Sequence, residues 1–339
     1  MRKYLIPFLS LILILALSCG AFAANPAELE QRAKTGDADA QFELGRMYAD
    51  GKGVERDYKQ ALNYFEKAAA QNHAKALNRI GVLYQNGRGV ERDYKKAMSY
   101  YEKAAALNLD WGYDNLGYLY GNGLGVNQDY KKAFENYEKA ADLGLASGKN
   151  HLANLYRDGK GVKQDYKKAI ELYEQAAAQN YAWGYENLGD LYYNGRGVKQ
   201  DYKKAFEYLK KAADLGLVDG QVDLAFMYRE GRGVKQDYKK AFEYYEKAAE
   251  QGNAFAQNNL GLMYDSGKGA AKNPKKAFEW FRKSAENGNH WGQLNAGKCC
   301  LNGYGTKKDK DKAIEYFKLS AKQGNKEAGK ELRKLGVKR

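Results

Sequence analysis

Apolar and polar positions follow helical spacing through most of this chain. Across residues 202–215, apolar side chains recur every three or four positions, which predicts one continuous buried stripe on a helix. A similar stripe across residues 183–193 predicts a second helix before it. Gly195 and Gly197 lie between the two, where the chain has to leave one helix and turn tightly. The pattern therefore predicts a pair of helices, called A and B here, joined by a glycine turn.

This helix pair recurs at a fixed interval of 36 residues. An unbroken period of this length is typical of a solenoid, in which each unit buries its apolar face only against its neighbours. Asp201 and its equivalents precede helix B, where their side chains are expected to cap the first turn. We therefore expect an all-α, α/α solenoid of eight 36-residue repeats. The glycine pairs are Gly51/Gly53, Gly87/Gly89, Gly123/Gly125, Gly159/Gly161, Gly195/Gly197, Gly231/Gly233, Gly267/Gly269 and Gly303/Gly305.

Residues 1–23 differ from the repeats and are typical of a secretory signal peptide. Two basic residues precede an apolar run at 5–17, and small residues follow it up to Ala23. The run is shorter than the ~20 residues that span a bilayer. Cleavage in front of Cys19, followed by lipidation of that cysteine, is the alternative to cleavage after Ala23. We expect an exported protein, in the periplasm or secreted.

The ends of the repeat region are expected to be capped. Residues 24–36 are predicted to form an N-terminal capping half-repeat, residues 37–324 the eight repeats, and residues 325–339 a C-terminal capping helix. Caps are expected because an uncovered terminal repeat would expose its apolar stacking face to water.

The composition limits the classes of binding partner that we expect for this protein. The formal net charge is +14, which favours anionic surfaces, acidic proteins or polyanions, while export argues against nucleic acid. Cys299 and Cys300 are adjacent on one predicted helix, so their side chains point about 100° apart and do not suit a simple disulfide. We expect them to be small buried side chains, with their redox state left open.

The repeat also carries a signature of residues. It reads Leu-Gly-x-Leu-Tyr, then Gly-x-Gly-Val, then Asp-Tyr-x-Lys-Ala and Tyr-x-Lys-Ala-Ala. This signature resembles the Sel-one-like repeat, a relative of the tetratricopeptide repeat with a longer loop between its helices. The resemblance covers about residues 37–325. It implies a right-handed superhelix that serves protein–protein contacts or acts as an adaptor, often in bacterial envelopes, without catalytic residues or cofactors.

Positions that vary between repeats lie on one side of helix A. In the fifth repeat they are Trp183, Asn187, Asp190 and Tyr193, whose spacing of four, three and three places them on one face. We call this side the variable face. By the resemblance, it lines the concave side of the superhelix. Aromatic side chains beside arginine and asparagine are typical of peptide-binding surfaces. The candidate ligand-binding residues are Trp111, Trp183, Trp291, Phe255, Tyr118, Tyr193, Phe226, Arg79, Arg157, Arg229, Asn154 and Asn187.

Two alternatives stay open for these surfaces. The tryptophans of the variable face could instead pack between repeats as core. Paired lysines in the first turn of helix B form a candidate basic rim, although that end of a helix is unfavourable for positive charge. The rim is either a solvated face or a docking surface for an acidic partner or an anionic envelope polymer. Its lysines are Lys131, Lys132, Lys167, Lys168, Lys203 and Lys204.

Signs of catalysis are weak. The three histidines, His73, His151 and His290, occupy non-equivalent positions, so neither a metal cluster nor a histidine triad is expected. Cysteine-rich secreted proteins of the similar family have been assigned β-lactam binding or hydrolysis. This chain lacks their repeated cysteine pairs, and a nitrocefin assay tests that alternative. We predict a monomeric, non-catalytic scaffold without cofactor that binds a protein or peptide in the envelope.

Overall fold

A computed structural model describes residues 26–337, and every regular element among them is an α-helix. The predicted leader, including Cys19, lies outside the described residues. Within residues 26–337, every helix is too short or too polar to cross a bilayer. The helices are α1 (Pro26–Lys34), α2 (Ala38–Asp50), α3 (Tyr58–Ala69), α4 (Ala74–Asn86), α5 (Tyr94–Ala106), α6 (Asp110–Asn122), α7 (Tyr130–Asp142), α8 (Ala146–Asp158), α9 (Tyr166–Ala177), α10 (Ala182–Asn194), α11 (Tyr202–Asp214), α12 (Val218–Glu230), α13 (Tyr238–Glu250), α14 (Ala254–Ser266), α15 (Pro274–Glu286), α16 (His290–Asn302), α17 (Lys310–Lys322) and α18 (Lys326–Lys334).

The chain divides into two compact units, residues 1–129 and residues 130–339. The first unit contains α1–α6 and the second contains α7–α18. Within each unit, every helix packs against the next one along the chain. The predicted all-α, α/α solenoid is confirmed.

The predicted start and stop signals form the helix ends. In α10, the C-cap Gly195 adopts a left-handed φ of 67° and donates its N–H to the carbonyl of Leu191. At the start of α11, Asp201 Oδ1 accepts the backbone N–H of Lys204 at 3.0 Å. Each signal provides a hydrogen-bond partner for a backbone group that has none within its helix. The observed helix bounds of the fifth repeat therefore differ by one residue at most from the predicted ones.

The core is built from one large residue of helix B against a small residue of helix A. In the fifth repeat, Leu209 is buried over Gly189. A Cβ atom at Gly189 would lie 2.6 Å from Leu209 Cγ, so the close approach of the helices requires glycine there. Other repeats place Phe65, Tyr101, Tyr137, Tyr173, Tyr245, Phe281 and Phe317 at the same position, all of them buried.

Polar side chains tie successive repeats at the ends of helix B. The buried Gln257 donates its Nε2 to the carbonyl of Ala249 at 3.1 Å. Its Oε1 accepts Nδ2 of Asn287, at the end of helix B of the same repeat, at 2.9 Å. A glutamine pair, Gln293 and Gln323, repeats this contact farther along. These ties satisfy buried polar groups while fixing the register between neighbours.

The helices at both ends of the described chain and the two cysteines contribute to the core. Helix α1 buries Leu29 and Ala33 in one cluster with α2, and α18 contributes the buried Ala328 to the last core cluster. Cys299 and Cys300 are buried free thiols. Burial raises the pKa of the Cys299 thiol to about 12, so at neutral pH it is a protonated, weakly reactive core residue.

Candidate functional site

The second position of helix A carries an exposed aromatic side chain in four of the eight repeats. These residues are Trp111, Trp183, Phe255 and Trp291, with exposed fractions between 41% and 48%. Their helices α6, α10, α14 and α16 hold them at one register position, 36 residues or a multiple of 36 apart. These rings are therefore not packed between repeats as core, which was the alternative left open by the sequence.

The other predicted aromatic residues are placed less uniformly. Tyr118 is 41% exposed, whereas Tyr193 and Phe226 are half-buried. The rings of Tyr193 and Phe226 meet edge to face, with centroids 6.4 Å apart, although they belong to successive repeats. Arg232, in the turn after α12, donates to the Tyr193 hydroxyl and lies 5.5 Å from the centroid of Phe226.

Two predicted arginines of the variable face tie repeats together. Arg157 donates its Nη1 to Asn187 Oδ1 at 2.9 Å, and Arg229 donates in the same way to Asn259 at 2.6 Å. Each guanidinium also pairs with the acidic residue that follows it in sequence. Asn154 accepts the hydroxyl of the buried Tyr173 at 2.5 Å. Among the predicted polar residues of the variable face, only Arg79 is exposed. Contact between the predicted ligand-binding residues and a ligand stays a prediction.

Asparagine pairs join helix A of one repeat to helix A of the next. Asn115 donates its Nδ2 to Asn78 Oδ1 at 2.8 Å in the first unit. In the second unit, Asn187 donates to Asn150 at 3.0 Å, and Asn295 donates to Asn258 at 2.9 Å. Each pair is separated by 37 residues. We call these positions the amide-pair register, because an amide supplies both the donor and the acceptor.

Between the fifth and sixth repeats, two acids occupy the amide-pair register. Glu186 of α10 takes the first position and Asp223 of α12 the second. Glu186 Oε2 is fully buried and has no hydrogen-bond partner in the described part of the chain. Burial, and then the negative charges of Asp223, Asp219 and Asp190, raise the pKa of Glu186 to about 9. Glu186 is therefore a proton-bearing acid at neutral pH, beside a second carboxyl.

A cavity of about 300 Å³ opens beside Asp223 of this pair. It brings together three predicted residues, Tyr193, Phe226 and Phe255, and adds Asp190 of the variable face. Its full lining is Asp190, Tyr193, Asn194, Leu209, Asp223, Phe226, Met227 and Phe255. Sequence reasoning missed Glu186 and Asp223. The signal was present, since acids replace asparagines at both positions of the register, 37 residues apart.

The predicted basic rim is partly engaged within each repeat. Lys204 Nζ lies 4.2 Å from the ring centroid of Tyr192 and donates to its hydroxyl at 2.6 Å. Lys168 lies over Tyr156 in the same way, at 5.8 Å. Lys167 and Lys203 are exposed, as are Lys131 and Lys132. The second lysine of a pair therefore covers a tyrosine of helix A. The constant spacing of 12 residues between this tyrosine and the lysine would have indicated the contact.

Histidine takes structural positions. His73 is the N-cap of α4, where its Nδ1 accepts the backbone N–H of Ala76 at 3.1 Å. Its ring also stacks on Phe42, with centroids 4.6 Å apart. Among residues 26–337, no group of three or more His, Cys, Asp or Glu side chains is arranged to hold a metal ion.

Comparison with protein families identifies the repeat. The model described as "Sel1 repeat" matches eight segments, at residues 38–73, 74–109, 112–145, 146–181, 184–217, 218–253, 254–289 and 292–325. The chain belongs to the Sel1 repeat family. The matched segments include both helices of the amide-pair register that carry Glu186 and Asp223. Sel1 repeat proteins are generally non-catalytic scaffolds for protein–protein interaction.

Two solved structures are similar over most of this Sel1 repeat protein. One is c5321, described as a protective antigen present in uropathogenic Escherichia coli strains displaying an SLR fold, with 38% identity and a TM-score of 0.67. The match covers 90% of this chain and 66% of the E. coli chain. The other is a Sel1 repeat protein from Oxalobacter formigenes, with 30% identity, a TM-score of 0.66, and coverage of 91% and 90%. No curated protein matches the chain.

Proposed function

We propose that this protein is an exported scaffold that binds a protein or peptide through the variable face of its helices A. The adaptor role would be in the cell envelope, and the recognition is passive, without chemistry on the partner. Trp111, Trp183, Phe255 and Trp291 carry the proposal, since large aromatic side chains are exposed at one register position of four repeats. Repeated exposure at one position is unlike the scattered exposed apolar residues of an ordinary surface.

The chemistry of this face supports a protein or peptide partner. Aromatic side chains supply large contact area at a small cost in side-chain entropy, and they are enriched at the centres of protein interfaces. Near Phe255, the cavity of about 300 Å³ adds a concave contact with polar and apolar walls. Flat aromatic surface next to a pocket of this size suits an anchoring side chain with flanking contacts.

Export is supported by sequence and by one relative. Residues 1–23 have the basic start, apolar run and small residues of a leader. The similar E. coli protein is described as a protective antigen, which fits a protein that is accessible outside the cytoplasm. We propose the same location for this chain, with cleavage after Ala23 or lipidation at Cys19. Mass spectrometry of the mature N-terminus in a cell-envelope fraction distinguishes these outcomes, and a chain that retains Met1 in the cytoplasm would refute export.

Photo-crosslinking in the native cell tests the binding face. A photo-crosslinking amino acid replaces Trp183 or Phe255, one at a time, and Leu215 is the matched control position. Leu215 is 46% exposed but lies at the end of helix B, away from the variable face of helix A. We expect one adduct of defined mass from positions 183 and 255, and little from position 215.

The pattern of adducts decides the proposal. Equal adducts from all three positions would indicate non-specific encounters, and no adduct from positions 183 and 255 would remove the variable face as a binding surface. The variants Trp183→Ala and Phe255→Ala serve as a second check. Because both side chains are more than 40% exposed, each replacement is expected to cost less than about 1 kcal/mol in unfolding free energy.

A further inference from the structure

Acidic side chains are concentrated at one place in this basic chain. The chain carries 56 Lys and Arg against 42 Asp and Glu, yet Asp190 and Asp223 line the cavity between α10 and α12, and Glu186 lies next to Asp223. Among the described residues, neither Glu186 nor Asp223 forms an ion pair. The nearest cation to Asp190 is the exposed Arg196, with Nη1 to Oδ2 at 3.9 Å. The cavity therefore offers the carboxyl group of Asp223, which has no ion-pair partner among the described residues, beside that of Asp190.

Two arginines lie close by but do not neutralise this charge. Arg229 is held by Glu230 and Asn259. Arg232 donates to the Tyr193 hydroxyl and covers the rings of Tyr193 and Phe226, with its guanidinium carbon 5.4 Å and 5.5 Å from the two centroids. Their contacts stiffen the aromatic walls while leaving the carboxyl pair without a cation.

The remaining walls of the cavity are apolar. Leu209, Met227 and Phe255 line it together with Tyr193 and Phe226. Its volume of about 300 Å³ is at the small end of the range for ligand sites, so it suits a single long side chain better than a folded element. Apolar walls beside acidic side chains fit a guest side chain with an aliphatic stem and a cationic head.

Arginine matches this arrangement more closely than lysine. A guanidinium presents five N–H donors in a planar fork, which can satisfy two adjacent carboxylates at once. Asp223, which lines the cavity and forms no ion pair among the described residues, would gain a donor. A cation would also favour the charged form of Glu186, whose pKa is raised first by burial and then by the neighbouring acids Asp223, Asp219 and Asp190.

We propose that the cavity between α10 and α12 binds an arginine side chain of the protein partner. The inference rests on the proposed function, because it names the chemistry by which that partner contacts this part of the variable face. Lysine would be a weaker guest, since its ammonium cannot bridge both carboxylates in the same planar geometry.

Small peptides test the cavity without knowledge of the partner. The probes are acetyl-Gly-Arg-Gly-amide, its lysine counterpart, and its citrulline counterpart, in which a neutral urea replaces the guanidinium at nearly the same shape. Titration of the full-length mature protein by NMR gives a dissociation constant for each peptide. We expect the arginine peptide to bind about tenfold more tightly than the citrulline peptide, with lysine between them.

One pair of substitutions removes both carboxyl groups and replaces them with a side-chain pair that the protein already contains elsewhere. Glu186→Asn together with Asp223→Asn recreates the amide pair that Asn150 and Asn187 already form. We expect the preference for arginine over citrulline to fall to about one in this variant. Glu171→Gln with Glu243→Gln is the matched control, because it removes two exposed carboxylates of the same unit, and it should keep the full preference.

The outcomes separate this inference from the proposed function. Equal binding of the arginine and citrulline peptides by the wild type, or an unchanged preference after the double asparagine substitution, would overturn the arginine site. Specific crosslinks from positions 183 and 255 would still support the binding face in that case. A preference for arginine without such crosslinks would support the cavity and remove the aromatic face from the proposal.

Discussion

The same inter-repeat register is filled in two different ways within one unit of this protein. Between the fourth and fifth repeats, Asn187 donates to Asn150 at 3.0 Å and accepts Arg157 Nη1 at 2.9 Å. Between the fifth and sixth repeats, Glu186 and Asp223 meet at the equivalent positions, and Glu186 Oε2 is buried without a partner. The first pair is neutral and hydrogen-bonded, whereas the second consists of two acids and requires a proton or a cation.

This difference shows how a uniform repeat can acquire a specific site. In both places the helices begin without a side-chain cap and end at a left-handed glycine, so the backbone gives no preference for either pair. Because each repeat is stabilised mainly by its own core and its neighbours, two side chains can change locally without altering the rest of the stack. The loss of stability caused by the acidic pair is confined to one interface between repeats. A ligand that relieves this loss would be favoured there.

Transplanting the acids should have the largest effect. Asn258→Glu with Asn295→Asp places a carboxyl pair where Asn295 now donates to Asn258 at 2.9 Å. The carboxyl at position 258 would be buried, since Asn258 is only 5% exposed, and the one at position 295 would be half-buried beside it. We expect a loss of about 3 kcal/mol in unfolding free energy at pH 7, measured by urea denaturation.

The neutral variant Asn258→Gln separates charge from size. Glutamine has nearly the shape of glutamate, so it should cost about 1 kcal/mol or less if charge is the main cause. Equal losses for the glutamine and the acidic variants would show that crowding, and not the buried carboxyls, distinguishes the two kinds of pair.

Removing the natural acids should have a smaller effect that depends on pH. The pKa of Glu186 is about 9 in the folded protein and close to 4.5 when unfolded, so the folded state holds an extra proton between these values. The acid therefore lowers stability progressively as pH rises through this window. Glu186→Asn with Asp223→Asn should add about 1–2 kcal/mol at pH 8 and much less at pH 5.

The measurement is the difference in unfolding free energy between the two proteins at several pH values. Asp190 and Asp219 are present in both, so their own titration largely cancels. A difference that stays constant from pH 5 to pH 8, or grows toward acid, would contradict the assignment of the retained proton to this pair.

Sequence reasoning predicted the fold better than the site, for physical reasons. Gly195 and Asp201 specify helix ends through local backbone geometry, so the period alone placed both helices of a repeat. The variable face was also readable, because helical spacing puts Asp190 and Tyr193 on one side of α10. The meeting of Glu186 with Asp223 depends on how far two side chains reach between stacked repeats, which residue type and spacing within one helix do not reveal.

The smallest predicted effect concerns the paired lysines, whose two members have different environments although the sequence pattern treats them alike. Lys203 is exposed, whereas its neighbour Lys204 lies over Tyr192 and donates to the tyrosine hydroxyl. Lys204→Ala should therefore lower the unfolding free energy by about 0.5–1 kcal/mol, while Lys203→Ala should change it little. Thermal denaturation of the two variants under identical conditions makes the comparison. Equal losses would mean that the tyrosine contact contributes nothing of its own, and that both lysines are as available to an anionic partner as the sequence pattern suggested.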